Sequence, residues 1–238
     1  MPICRRHLLG LAAAVAFPGV VDAVETELDL KLVLAVDASG SVSTERFELQ
    51  KQGYAQAFRD PRVVRAIASL AGQSVAATMM QWTGPSLHVQ VVPWSLLHDS
   101  ASSAAFADRI AGAPRRLFGG GTSISGAIDE ARRLMAAQGQ PALRNVIDVS
   151  GDGANNAGRR VSVARDEAVA DGVVINGLPI LNVEPDLDEH YRSQVIGGPG
   201  CFMIAIENYG QFAEAIIHKL VTEIADSGDF SSQALRLG

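Results

Sequence analysis

The chain has 238 residues, a net charge of -6, 47% hydrophobic residues and 19% charged residues. That balance excludes a disordered chain and a polybasic nucleic-acid binder, and it suits one α/β domain or two small ones. The dense basic pairs Arg5-Arg6, Arg115-Arg116, Arg132-Arg133 and Arg159-Arg160 read as a leader charge and as solvated helix or loop faces.

The first residues, MPICRRHLLGLAAAVAFPGVVDA, join a basic start to an apolar run and end on the small residue Ala23. This is the plan of a secretory signal over residues 1–23. Arg5-Arg6 before His7-Leu8-Leu9 also resembles a twin-arginine export signal, without the usual flanking residues. The run is short for a membrane span and contains Pro18 and Gly19, so no stable span is expected after cleavage. Cleavage removes Cys4 and leaves Cys201 alone in the apolar stretch CFMIAI, where it reads as a small buried hydrophobe.

One domain is expected over residues 24–226. From Leu28 to Val36, Leu, Val and Ala run without strict alternation, which predicts a strand buried on both faces. A helix follows from Ser43 to Phe58, capped by Ser43, with Phe47, Tyr54 and Phe58 on one side. Asp60-Pro61 opens a short helix from Arg62 to Leu70. Strands from Ser74 to Trp82 and from Leu87 to Trp94 flank the hairpin signal TGPS, with both tryptophans read as core or edge packing. A helix from Ser102 to Ala111 ends at Gly112 and Pro114, FGGGTS is a loop, and a helix from Ser123 to Gln138 ends at Gly139-Gln140-Pro141.

Leu143 to Val149 is a second buried strand, running into SGDGANNAG. A helix from Arg159 to Asp171 stops at Gly172. The next strand, Val173 to Leu181, carries Gly177 and Pro179 and is expected to be irregular or bulged. A short helix from Asp186 to Ile196, a last strand from Cys201 to Ile206 and a closing helix from Asn208 to Ala225 complete the order. Residues 227–238 read as a frayed tail. Strands alternating with helices, apart from one hairpin, predict a doubly wound α/β domain. Its central sheet is mostly parallel, with one antiparallel edge strand and helices on both faces.

In such sheets ligands sit outside the carboxyl ends of the strands. Three loops there offer hard oxygens beside glycines: Asp37-Ala38-Ser39-Gly40-Ser41, Gly119-Gly120-Gly121-Thr122-Ser123 and Ser150-Gly151-Asp152-Gly153. Taken alone, Asp37 and Ser39 fit a turn and a helix cap. Joined to Thr122 and Asp152, they fit a small divalent cation, since Mg2+ takes six oxygens at about 2.1 Å and keeps waters readily. Two carboxylates roughly balance the cation, and neutral hydroxyls leave it attractive to an outside acid. The triple glycine is not a nucleotide cradle, because neither G-x-x-x-x-G-K-S/T nor G-x-G-x-x-G follows the first strand. Asn155 and Asn156 fit either polar contacts beside the cation or a turn. His88, His98, His190 and His218 have no metal-type spacing.

Asp37-x-Ser39-x-Ser41 with Thr122 and Asp152 resembles the metal-ion-dependent adhesion site of von Willebrand factor type A domains, with all five positions in order. The likeness spans about Leu28 to Ala225. The exported single-domain format with SGDGANN is similar to a group of bacterial secreted A-domain proteins. The resemblance implies a Rossmann-like fold with Mg2+ at the top of the sheet. It implies direct ligation by Ser39, Ser41 and Thr122, and ligation by Asp37 and Asp152 directly or through water. It also implies a partner carboxylate completing the shell. The expected function is a periplasmic or secreted metal-dependent binding module, probed by Mg2+ first, with Mn2+ or Ca2+ as alternatives. The chain is expected to be a monomer that binds an acidic protein or ligand and no nucleic acid. A Mg2+-assisted phosphoester hydrolase and a purely structural metal protein are the competing readings. No catalytic constellation supports an enzyme: a second acid two residues after Asp37 and a G-x-S-x-G elbow are both missing.

Overall fold

The computed structural model describes residues 27–225 and 234–236. The expected leader, residues 1–23, lies outside the described residues, as does most of the 227–238 segment.

The apolar run forms β1 (Leu28–Asp37), buried along its whole length. Parallel neighbours explain that burial: β2 (Val75–Trp82) on one side and β4 (Ala142–Gly151) on the other. A strand covered on both faces has no solvent side to carry alternating polar residues. β3 (His88–Leu97) returns antiparallel against β2 and forms one edge. β5 (Val173–Pro179), β6 (Met203–Ala205) and β7 (Ala234–Arg236) continue in parallel from β4. The sheet order is β3-β2-β1-β4-β5-β6-β7. β7 adds to the edge where the sequence predicts only a frayed tail.

Helices cover both faces. Leu30, Leu32 and Leu34 of β1 join one core with α1 (Thr44–Ala57), α2 (Pro61–Ala68), α3 (Ser100–Gly112) and α7 (Phe212–Ala225). Val33 and Ala35 join the other with α4 (Ile124–Gln138) and α5 (Val161–Ala170). Ser43 caps α1 by accepting from the Arg46 N–H at 3.2 Å, as its position before the helix predicts. α3 starts two residues earlier than the sequence suggests, because Asp99 and Ser102 form a reciprocal capping box.

The irregularity expected in β5 is not there. Its register with β4 runs unbroken from Asn145↔Val173 to Gly151↔Pro179. Gly177 serves a close approach instead, since a Cβ there would sit 2.6 Å from Tyr191 Cδ1. The register shifts fall between β2 and β3, around Met79. The helix expected from Asp186 to Ile196 splits into α6 (Leu187–His190) and a π-helical turn, Tyr191–Val195. Trp82 is fully buried, and Trp94 packs partly buried against the second core, as expected of packing residues.

Candidate metal centre

Strand order reverses at β1, so the crevice between the ends of β1 and β4 is where a doubly wound sheet holds a ligand. Val36 and Ser150 are paired across it. The chain therefore delivers Asp37 and Asp152 to one point.

Asp37 is fully buried. Its Oδ1 accepts from the Ser39 N–H at 2.7 Å, the turn that a short acid makes with its own backbone. Its Oδ2 has no partner among the described residues. A buried carboxylate oxygen without a donor is the exception that a cation or an ordered water resolves. Ser39 Oγ lies 3.2 Å from Ser41 Oγ, and Ser41 Oγ donates to Asp152 Oδ1 at 2.5 Å. Asp152, also fully buried, accepts from the Tyr209 hydroxyl at 2.9 Å through Oδ2. Thr122 borders the same cleft of about 260 Å³ together with Ser41, Asp152, Gly153 and Glu184. Ser41, Thr122 and Asp152 thus line one cleft, and the buried Asp37 and Ser39 connect to it through hydrogen bonds.

Small residues make the approach close. A Cβ on Gly151 would lie 2.9 Å from Asp37 Oδ2 and 3.2 Å from the Tyr191 hydroxyl. Gly119, Gly120 and Gly121 hold φ of 85°, 109° and 85°, a region that side chains with a Cβ rarely enter.

Burial pushes the Asp37 carboxyl up to about 7; the Ser39 hydrogen bonds oppose this and the Asp152 charge adds to it. A divalent cation is the group that would restore the ionised form here. Burial first, and the Asp37 and Asp152 charges next, hold the Tyr191 phenol well above its ordinary value. Burial and then the same two carboxylates, Asp152 first, raise Tyr209 too. Both stay neutral hydroxyls.

Residues remote in sequence brace the loops. Arg115 Nη2 donates to the carbonyls of Ala38 and Ser39 at 3.0 and 3.3 Å, and its guanidinium lies over Phe47 and Phe118. Gln50 Nε2 donates to the Asp37 carbonyl at 3.2 Å. Asn156 exchanges hydrogen bonds with the Thr122 backbone, its Oδ1 accepting from the Thr122 N–H at 2.9 Å. Asn155 Oδ1 accepts from the Ser125 N–H at 3.0 Å. The two asparagines therefore fix the Thr122 loop. Glu184 Oε2 accepts from the Ala154 N–H at 3.0 Å on the far rim. No motif announces Arg115, Glu184, Tyr191 or Tyr209; only the burial of aromatics hints at the last two.

No histidine belongs to the five. His190 Nε2 accepts from the Asn155 N–H at 3.2 Å, and half-burial lowers its pKa. Among the described residues no group of three or more His, Cys, Asp or Glu side chains is placed to hold a metal. This centre would depend on hydroxyls and two carboxylates, a donor set suited to a hard ion. Cys201 is only half-buried, short of the full burial its apolar stretch predicts, and that burial raises its thiol pKa.

A Rossmann-like sheet with one antiparallel edge and helices on both faces is the fold of von Willebrand factor type A domains. The chain belongs to the family described as "Protein of unknown function (DUF1194)", whose model matches residues 27–228. Solved structures agree in fold. A von Willebrand factor type A protein from Catenulispora acidiphila superposes with a TM-score of 0.60 at 14% identity, over 83% of this chain and 43% of that one. Proximal thread matrix protein 1 from the mussel byssus, with a zinc-occupied MIDAS motif, gives 0.59 at 14%, over 85% and 47%. The pilus adhesin SpaC from Lactobacillus rhamnosus GG gives 0.60 at 12%, over 85% and 31%. The chain thus spans less than half of each of these proteins. No curated protein sequence matches it.

Proposed function

We propose that the chain is an exported, metal-dependent binding module. Asp37, Ser39, Ser41, Thr122 and Asp152 hold a divalent cation, Mg2+ in the first place and Mn2+ or Ca2+ as alternatives. The cation offers an open position to a carboxylate on a protein or other ligand. The observation that carries this reading is the buried, unpartnered Asp37 Oδ2, on a carboxylate whose Oδ1 accepts from the Ser39 N–H at the start of the loop that links the Ser39, Ser41 and Asp152 oxygens. The zinc-occupied MIDAS motif of the mussel protein and the adhesin role of SpaC support it by analogy of fold. The leader-like residues 1–23 support a periplasmic or secreted location, and among the described residues no helix is long and apolar enough to cross a membrane. The acidic net charge of -6 speaks against nucleic acid as the partner. The protein acts as a monomer in this reading.

Thermal unfolding of the chelated protein, with Mg2+ then restored, tests the metal. A ligand at 100 times its Kd stabilises by about 2.7 kcal/mol, which for this chain length is roughly 5–10 °C. Asp37→Asn is expected to abolish that shift while melting no lower than chelated wild type. If Mg2+, Mn2+ and Ca2+ all leave the wild-type Tm unchanged, the metal centre is wrong. Mg2+-dependent turnover of p-nitrophenyl phosphate that Asp37→Asn abolishes would favour the hydrolase instead.

A further inference from the structure

The metal reading leaves one charged group at the rim without a role. Arg46 stands in the first turn of α1, held beside the first loop because Ser43 accepts from its N–H at 3.2 Å. Its Nη1 donates to the Ser41 carbonyl at 3.0 Å and lies 3.7 Å from Asp152 Oδ2. With its amide oxygen turned toward Arg46, Asn182 accepts from Nη1 at 3.3 Å and from Nη2 at 3.0 Å. The guanidinium also lies 5.6 Å from the centroid of the Tyr209 ring. One side of the fork is thus clamped between two of the five site residues, an amide and an aromatic ring.

The other side is open. The Arg46 side chain is 37% exposed, against 0% for Asp152. Its Nε–H and one Nη2–H find no acceptor among the described residues, although a guanidinium carries five N–H donors. That pair of donors matches a carboxylate edge, and the clamp removes much of the entropy such a side chain loses on binding. Charge points the same way. A divalent cation balances the Asp37 and Asp152 carboxylates, so Arg46 then carries the excess positive charge of the rim. Glu184 lines the cleft as well, tied to the Ala154 N–H, and repels an acid from its side.

The geometry points to Arg46 as the second anchor for the partner's carboxylate, beside the metal, an inference that rests on the reading above. The acid docks on the Arg46 side of the cleft, one oxygen toward the cation and its edge toward the guanidinium. A brace that only neutralised Asp152 and held the Ser41 carbonyl would not need the two open donors.

Acetate serves as the carboxylate probe, titrated by NMR into 15N-labelled full chain with and without saturating Mg2+, with Mg2+ affinity measured separately by calorimetry. Arg46→Met is expected to keep the Mg2+ Kd within twofold, or to tighten it, and to weaken acetate at least tenfold. Arg46→Lys, which keeps the charge but not the fork, should fall between. If Arg46→Met binds acetate as wild type does, the second anchor is refuted while the metal module stands. If it loses Mg2+ as much as acetate, Arg46 is a brace of the metal loop and the inference is likewise refuted. If wild type shows no Mg2+-dependent acetate response, the carboxylate-binding reading falls and takes this inference with it.

Discussion

Replacing Glu223 with Gln tests the charged cluster buried beneath the site. Lys219 and Glu223 on α7 and Asp148 on β4 are all buried. Lys219 Nζ lies 2.7 Å from Asp148 Oδ1 and touches Glu223 Oε1, which also accepts from Asn176 Nδ2 at 3.0 Å. One ammonium faces two carboxylates, so one carboxylate is in excess. Burial pushes the Glu223 carboxyl up to about 7; Lys219 opposes that rise and the Asp148 charge adds to it. An unfolded chain ionises the same group near its ordinary 4.5. The folded state therefore holds a proton that the unfolded state releases between those values. The stability this contributes is complete below 4.5 and is lost as pH rises to about 7. At about 1.4 kcal/mol per pH unit the loss is about 3 kcal/mol. Glu223→Gln removes the titration and keeps the shape. Urea unfolding followed by the fluorescence of buried Trp82, in EDTA, is expected to show the variant within about 1 kcal/mol of wild type at pH 5. At pH 8.5 it should be about 1–3 kcal/mol more stable, the shortfall reflecting the lost Lys219 contact. Groups that do not touch the cluster, Asp37 included, cancel because variant and wild type are compared at each pH, whereas Asp148 and Glu223 titrate together and the offset belongs to the pair. The reasoning is refuted if the offset is the same at both pH values, or if the variant is the less stable at pH 8.5.

Two further substitutions probe the frame of the centre. Gly151→Ala places a Cβ 2.9 Å from Asp37 Oδ2, so about 1–3 kcal/mol of overpacking and loss of the Mg2+-induced Tm shift are expected in thermal melts. Arg115→Ala removes the donors to the Ala38 and Ser39 carbonyls, and urea unfolding should show a loss of about 1–2 kcal/mol, since the side chain is only half-buried.

What the sequence discloses is what local chemistry dictates. β1 and β4 are readable because an interior parallel strand has no polar face. The TGPS hairpin is readable because its residues choose the turn, and the Thr83 N–H bonds the Leu87 carbonyl at 3.0 Å as a hairpin requires. Gly177 misleads, because a glycine in a strand signals either a bulge or a close neighbour, and only the path of the Tyr191 turn decides between them. β7 is hidden by brevity and a polar approach. The five candidate residues stand out in the sequence because each sits at or just after a strand end or in a glycine loop. Arg46, Arg115, Glu184 and Tyr209 are not, because their roles arise from which helix or loop lands beside the crevice.

Lys219 and Glu223 show the limit most sharply. Four residues apart on a helix, opposite in charge, they read as a solvent-facing pair worth a few tenths of a kcal/mol. α7 instead turns them onto the sheet, where Asp148 stands on the strand that leads to Asp152. Ionised groups in that position cost several kcal/mol each to desolvate and persist only where polar neighbours engage them. The engagement here is a chain of polar contacts. Tyr54 lies 3.5 Å from Asp148 Oδ2 and 3.3 Å from Ser150 Oγ, Ser150 donates to Gln50 Oε1 at 3.3 Å, and Gln50 donates to the Asp37 carbonyl at 3.2 Å. A wholly apolar core would pack α7 against β4 as firmly, but without direction. These contacts have direction, so the end of β1, the end of β4 and α7 share one register. The Asp37 carbonyl is therefore held from below by this chain and the next two carbonyls by Arg115, and the loop has little freedom left to spend on ordering a ligand.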